Sequence, residues 1–231
     1  MIWLLPALAF TGIDLYAAKM KLDRLQQVTR LLPGLGLFVW YFQVVMPASP
    51  ADASGRLEDM FIFWGLLFLL VAELLRQLPS PREPNAWAAH FLAILSFALA
   101  FGGPVFPDRY LIPGLILAAA LLGLGFWVFS MLAPSLDWIL KAAAALYTVL
   151  VSALLLSAAS TLVTGWGMLP SYTVIAGAAL WYLAAFSDGW RRYIEPRPGS
   201  DFDLRLLFLA GQFCLAAGAG VQAMGLFDFT I

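Results

Sequence analysis

Cysteine, histidine and charge are all scarce in this chain. A single cysteine, Cys214, permits no intramolecular disulfide and no thiolate metal cluster, and reads as a small core residue. With His90 as the only histidine, a metal site would have to draw on Glu73, His90 and Asp188 alone, so neither a metal nor another cofactor is expected. There is no Walker-type phosphate loop and no GxSxG nucleophile elbow, which removes the parts a P-loop enzyme or a serine hydrolase needs. No basic, aromatic surface stretch is present for nucleic acid. Charged residues make up 12% of the 231 positions, too few to solvate a globular surface of this size.

What is abundant is apolar. Hydrophobic residues account for 62% and aromatic residues for 15%, and the mean hydropathy is +0.87. These values describe an integral membrane protein. The apolar runs approach the length needed to cross a hydrocarbon core about 30 Å thick. Eight are expected, near Ile2 to Ala18, Leu31 to Met46, Met60 to Leu78, Ala86 to Gly102, Leu111 to Leu132, Trp138 to Val163, Tyr172 to Ser187 and Leu204 to Met224. They consume most of the chain, leaving short connections rich in Pro, Gly, Ser and Asp, such as PASPADASG and EPRPGSD. The expected fold is therefore all-α: one transmembrane helical domain over residues 1–231.

Orientation follows from the distribution of Lys and Arg, which are retained on the cytoplasmic side near span ends. Alternate connections hold Lys19, Lys21, Arg24 and Arg30, then Arg76 and Arg82, then Lys141, then Arg191, Arg192, Arg197 and Arg205. Only Arg56 and Arg109 fall on the other side, so both termini are expected outside. No basic segment precedes the first span, which is read as a helix and not as a secretory signal. Small residues inside the later spans, among them Gly177, Ala178, Gly211 and Gly218, suit close helix approach.

Polar residues within the spans can be ranked by depth at about 1.5 Å of rise per residue. Glu73, Asp188, His90, Tyr147, Gln212 and Asp14 all fall in the inner half, whereas the outer half offers mainly Ser and Thr. An inward-opening pocket is the expectation. Simpler roles stand beside it. Glu73 with Arg76, and Asp188 with Arg191 or Arg192, have the spacing of interfacial ion pairs, and Asp137 with Lys141 that of an anchoring pair. Asp14 is expected to serve structure at a helix end, and Gln212 to tie helices together.

The stretch GAALWYLAAFSDGWRRYIEPRPGSDFDLRLLFLAGQFCLAAGA resembles the carboxyl third of the YhhN-like lysoplasmalogenase family, eight-span membrane proteins, with Asp188 as its aspartate after serine and Gln212 as its glutamine. Upstream, GLLFLLVAELLRQLP is similar to the helix in which that family carries Gly-Asp, here Ala72 and Glu73. AWAAHFLAILSFALAFGG and ALYTVLVSALLL resemble two further family segments, the latter through Tyr147. This chain departs from the pattern at Glu73, at Ile94, where the family histidine falls, and at Phe208, which replaces a tyrosine. His90 lies one turn before Ile94 on the same helix face.

The resemblance implies hydrolysis of the vinyl ether bond of a lysoplasmalogen to a fatty aldehyde and glycerophosphoethanolamine or glycerophosphocholine. On that reading Asp188 is the general acid and Glu73 the stabilising carboxylate, or the reverse. Tyr147, His90 and Gln212 align water and polar oxygens, and Arg76, Arg191 or Arg192 hold the head-group phosphate. The partners are a lysophospholipid and the bilayer, and the expected location is a bacterial cytoplasmic membrane. The competing class is a lipid-binding or transport bundle using the same carboxylates, hinted at by the acid followed by Arg at the inner ends of spans three and seven.

Overall fold

The computed structural model describes residues 4–48, 53–78, 83–103, 105–194 and 202–225, and among these every regular element is helical. The helices are α1 (Leu5–Lys19), α2 (Asp23–Thr29), α3 (Leu32–Trp40), α4 (Ala53–Gln77), α5 (Glu83–Ala100), α6 (Leu111–Leu132), α7 (Trp138–Ser160), α8 (Met168–Tyr193) and α9 (Phe202–Ala223). Helix α3 runs on through a π-helical turn, Tyr41–Val45, into a last turn, Met46–Ala48.

Local chemistry explains several boundaries. Pro6 and Pro33 sit in the first turns of α1 and α3, where a missing N–H costs nothing. Asp137 caps α7, its side chain accepting a hydrogen bond from the Leu140 N–H at 2.8 Å. This N-cap is the described role of a residue expected to pair with Lys141. Helix α5 is stopped by Gly102 and Gly103, whose φ values of +79° and +69° are readily adopted only without a Cβ.

Among the described residues, four helices are long and apolar enough to cross a membrane, spanning Asp108–Ser135, Trp138–Val163, Met168–Arg191 and Phe202–Ala223, and two shorter apolar helices cover Leu32–Ala48 and Pro84–Ala100. The chain is a multi-pass membrane protein. Large apolar side chains on α6, such as Leu115, Ile116, Phe126 and Trp127, are exposed, as expected of a face solvated by lipid tails. Arg82 and Arg197, counted above among the inner basic residues, lie outside the described residues, as do the side chains of Arg56 and Arg192.

The core runs through the middle of the bundle, with Trp181, Tyr41, Phe97, Phe101, Leu154 and Leu215 fully buried. The closest pairings are α8 with α9 and α4 with α5. Small residues set the first of these. A Cβ on Gly177 would lie 2.8 Å from both the Gly211 carbonyl oxygen and the Leu215 nitrogen. The two backbones therefore approach closer than any side chain allows.

The helices differ from the expected spans in three respects. The connection after α1 holds the helix α2. Helices α4 and α8 extend beyond the expected spans, α4 beginning at Ala53 and α8 running to Tyr193, so that Asp188 and Arg191 are helical. The half of the bundle away from Glu73 also holds a buried acid, just outside the expected third span. Asp59, on the added turns of α4, is buried and accepts a hydrogen bond from the Tyr41 hydroxyl at 2.6 Å.

Candidate active site

The C-terminal end of α4, the N-terminal end of α5, the C-terminal end of α8 and the N-terminal end of α9 meet around a cavity of about 540 Å³, with Arg30 and Gly34 beside them. Helical spacing presents the lining in rows. Leu69, Glu73 and Arg76 follow one another down α4, and Arg205, Phe208 and Gln212 down α9, while Trp87 and His90 share a face of α5. From Arg76 to Leu69 the lining descends seven residues, a depth of about 10 Å.

Of the residues singled out in the sequence, Glu73, Arg76, His90, Tyr147, Asp188, Arg191 and Gln212 all line this cavity. The Arg192 side chain lies outside the described residues. Asp14 does not reach the cavity lining but is wholly buried behind it.

Glu73 is the electrostatic hub. Its Oε1 accepts a hydrogen bond from Arg205 Nη1 at 3.2 Å and its Oε2 one from Arg76 Nη1 at 3.4 Å, while Arg30 Nε forms an ion pair with Oε1 at 2.7 Å without the alignment of a hydrogen bond. Arg205 is itself fully committed: Nε donates to Asp14 Oδ2 at 2.5 Å and Nη2 donates to the Arg30 carbonyl at 3.0 Å. The Thr29 hydroxyl donates to the other Asp14 oxygen at 3.1 Å. One guanidinium thus ties together α1, α4, α9 and the end of α2. Such an arrangement compensates a buried carboxylate that would be costly alone. Guanidinium groups thus flank both Glu73 oxygens, which accept hydrogen bonds from Arg205 and Arg76. Farther along the rim, Arg191 reaches Asp203 at 3.5 Å.

A second, less charged wall adjoins it. His90 is buried, its Nε2 3.2 Å from the Tyr147 hydroxyl. The imidazole stacks on Trp181 with ring centres 5.5 Å apart and meets the Phe208 edge at 6.0 Å. Trp181 in turn donates its indole N–H to the Phe208 carbonyl at 3.1 Å. These contacts hold a polar pair, His90 and Tyr147, in an aromatic setting that fixes both rings. Phe97, Ile94, Trp181 and Leu215, all essentially fully buried, fill the bundle core next to this wall.

Sequence reasoning missed Arg30 and Arg205 as parts of the site. For Arg205 a signal existed: it lies seven residues before Gln212, on the same face of α9. Arg30 offered none, because only the fold of α2 carries it to Glu73. Among the described residues no three His, Cys, Asp or Glu side chains converge as metal ligands.

These features define a membrane-embedded helical protein with a charged, partly buried cavity at one end of its bundle. A model of the YhhN family matches residues 25–219, and the chain belongs to the YhhN family. No curated protein and no solved structure matches it.

Proposed function

We propose that this protein is a membrane-embedded hydrolase that cleaves the vinyl ether bond of a lysoplasmalogen, releasing a fatty aldehyde and a glycerophospho-ethanolamine or -choline. In this reading eight helices, all but α2, cross the bilayer, both termini lie outside and the cavity opens toward the inner leaflet of a bacterial cytoplasmic membrane. Membership of the YhhN family is consistent with such a role.

The observation that carries the reading is that two acids from different helices line one cavity: Glu73, flanked by three guanidinium groups, and Asp188. Vinyl ether hydrolysis requires a proton delivered to the alkene carbon remote from the ether oxygen. The electron pair of the double bond forms the new C–H bond, and an oxocarbenium ion remains. Water adds to that cation, a proton is lost, and the hemiacetal collapses to aldehyde and alcohol. Asp188 is the proton donor and recovers its proton from the added water. Glu73, flanked by three guanidinium groups, supplies negative charge near the cation. His90 and Tyr147, bonded at 3.2 Å, and Gln212 orient the water. Arg76 and Arg191 line the cavity toward its rim, where the polar head group enters. The alkenyl chain lies against Leu69, Leu70, Phe208 and Leu209 of the lining.

Aldehyde release from a lysoplasmalogen by detergent-solubilised protein tests the reading. The wild-type chain is expected to release aldehyde. Asp188→Asn and Glu73→Gln, each still folded, are expected to lose at least about a hundredfold in rate. Wild-type rates in both variants, or no aldehyde from the wild type, refute it.

A further inference from the structure

Three guanidinium groups gather around Glu73, and they are not equivalent. Arg205 has its own counter-ion in Asp14 and is only 11% exposed. Arg30 and Arg76 share the single Glu73 carboxylate and are 36% and 39% exposed. Within this ion-pair cluster three guanidinium groups are set against two carboxylates, Glu73 and Asp14, and the two arginines without a carboxylate of their own, Arg30 and Arg76, are the more exposed.

Arg30 is ion-paired with Glu73 through Nε, which makes no aligned hydrogen bond, and Arg76 donates to it through Nη1. Among the described residues no other acceptor takes their remaining N–H groups. A shared carboxylate holds two such groups apart and aimed, so little rotamer freedom is lost when an anion arrives. Planar guanidinium forks match the oxygens of a phosphate. Below them the lining turns apolar at Leu69, Leu70 and Leu209, which suits a ligand whose phosphate ends in a hydrocarbon tail.

We propose that Arg30 and Arg76, spaced by Glu73 and buttressed by Arg205 and Asp14, form a binding site for one phosphate group at the cavity mouth. A phosphodiester, with a single negative charge, completes the charge balance of the cluster. The proposal rests on the hydrolase reading for the lipid that carries the phosphate, but not for phosphate recognition itself. It gives the head-group contact to Arg30, which the sequence had not suggested, in place of Arg191, which is turned toward Asp203.

The test uses the full chain in detergent and two ligands that cannot be cleaved, 1-O-hexadecyl-glycerophosphocholine and 1-O-hexadecylglycerol, with apparent Kd read by native mass spectrometry. The wild type is expected to bind the phosphate-bearing ether about tenfold or more tightly, the scale of a charge-assisted contact. Arg30→Gln and Arg76→Gln are each expected to remove most of that preference. The Kd for hexadecylglycerol should stay within about twofold, which also reports an intact fold. Inorganic phosphate added alone separates the sources. Displacement of the phosphate-bearing ether shows that free phosphate is also accepted, and absence of displacement shows a head-group site. Equal wild-type affinity for the two ethers, or a preference retained in both Gln variants, overturns the proposal. Because neither ligand can react, this result is independent of whether aldehyde is released from a vinyl ether.

Discussion

Glu73 makes two kinds of ion pair in one cluster, and a pair of double-mutant cycles should tell them apart. Its contact with Arg205 joins side chains that are 17% and 11% exposed, and Arg205 is tied down by two further acceptors. Its contact with Arg76 is longer, at 3.4 Å, and Arg76 is 39% exposed, so solvent screens it and a flexible side chain must be ordered to make it. The coupling energy for Glu73→Gln with Arg205→Gln is therefore expected at about 1.5–3 kcal/mol, the range of hydrogen bonds to charged groups. For Glu73→Gln with Arg76→Gln it is expected below about 1 kcal/mol. The single change Arg205→Gln should cost more than either coupling, about 3–5 kcal/mol, because it leaves the wholly buried Asp14 with only the Thr29 hydroxyl as a described partner. Reversible unfolding in mixed micelles supplies the free energies. A Glu73–Arg76 coupling equal to or larger than that of Glu73–Arg205 would refute the ranking by burial on which the description of the hub rests.

Gly177→Ala should force α8 and α9 apart, since the new methyl group would lie 2.8 Å from backbone atoms of the partner helix that have no rotamer to yield. A loss of about 1–3 kcal/mol is expected in the same unfolding assay, and an unchanged midpoint would show that the two backbones are not in close contact. Tyr41→Phe removes the hydroxyl that donates to buried Asp59 at 2.6 Å and is expected to cost about 1–3 kcal/mol. Because that contact lies in the half of the bundle away from Glu73, aldehyde release per folded molecule should not change. A large drop in turnover at unaltered stability would tie the Asp59 region to the reaction.

Much of the architecture was open to reading without coordinates. Long apolar runs dictate helices in a membrane, because a backbone in hydrocarbon must satisfy its own hydrogen bonds. Glu73 with Arg76, and His90, Tyr147, Asp188 and Gln212, could be placed at similar depth because helical rise is uniform. Asp59 stood outside the expected third span because hydropathy alone does not carry an apolar run through Arg56, Glu58 and Asp59, whereas α4 begins at Ala53.

Composition and periodicity thus determined that the chain is helical and membrane-embedded, and which polar residues stand out against an apolar background. Only the tertiary structure decided their partners. Arg205 is 132 residues from Glu73 and 191 from Asp14, and Arg30 reaches Glu73 only because α2 folds beside the bundle. Helical spacing reports which side chains share a face within one helix. Which faces of different helices meet is set by close approaches such as that of Gly177 to Gly211, and these gather scattered charges around a single carboxylate.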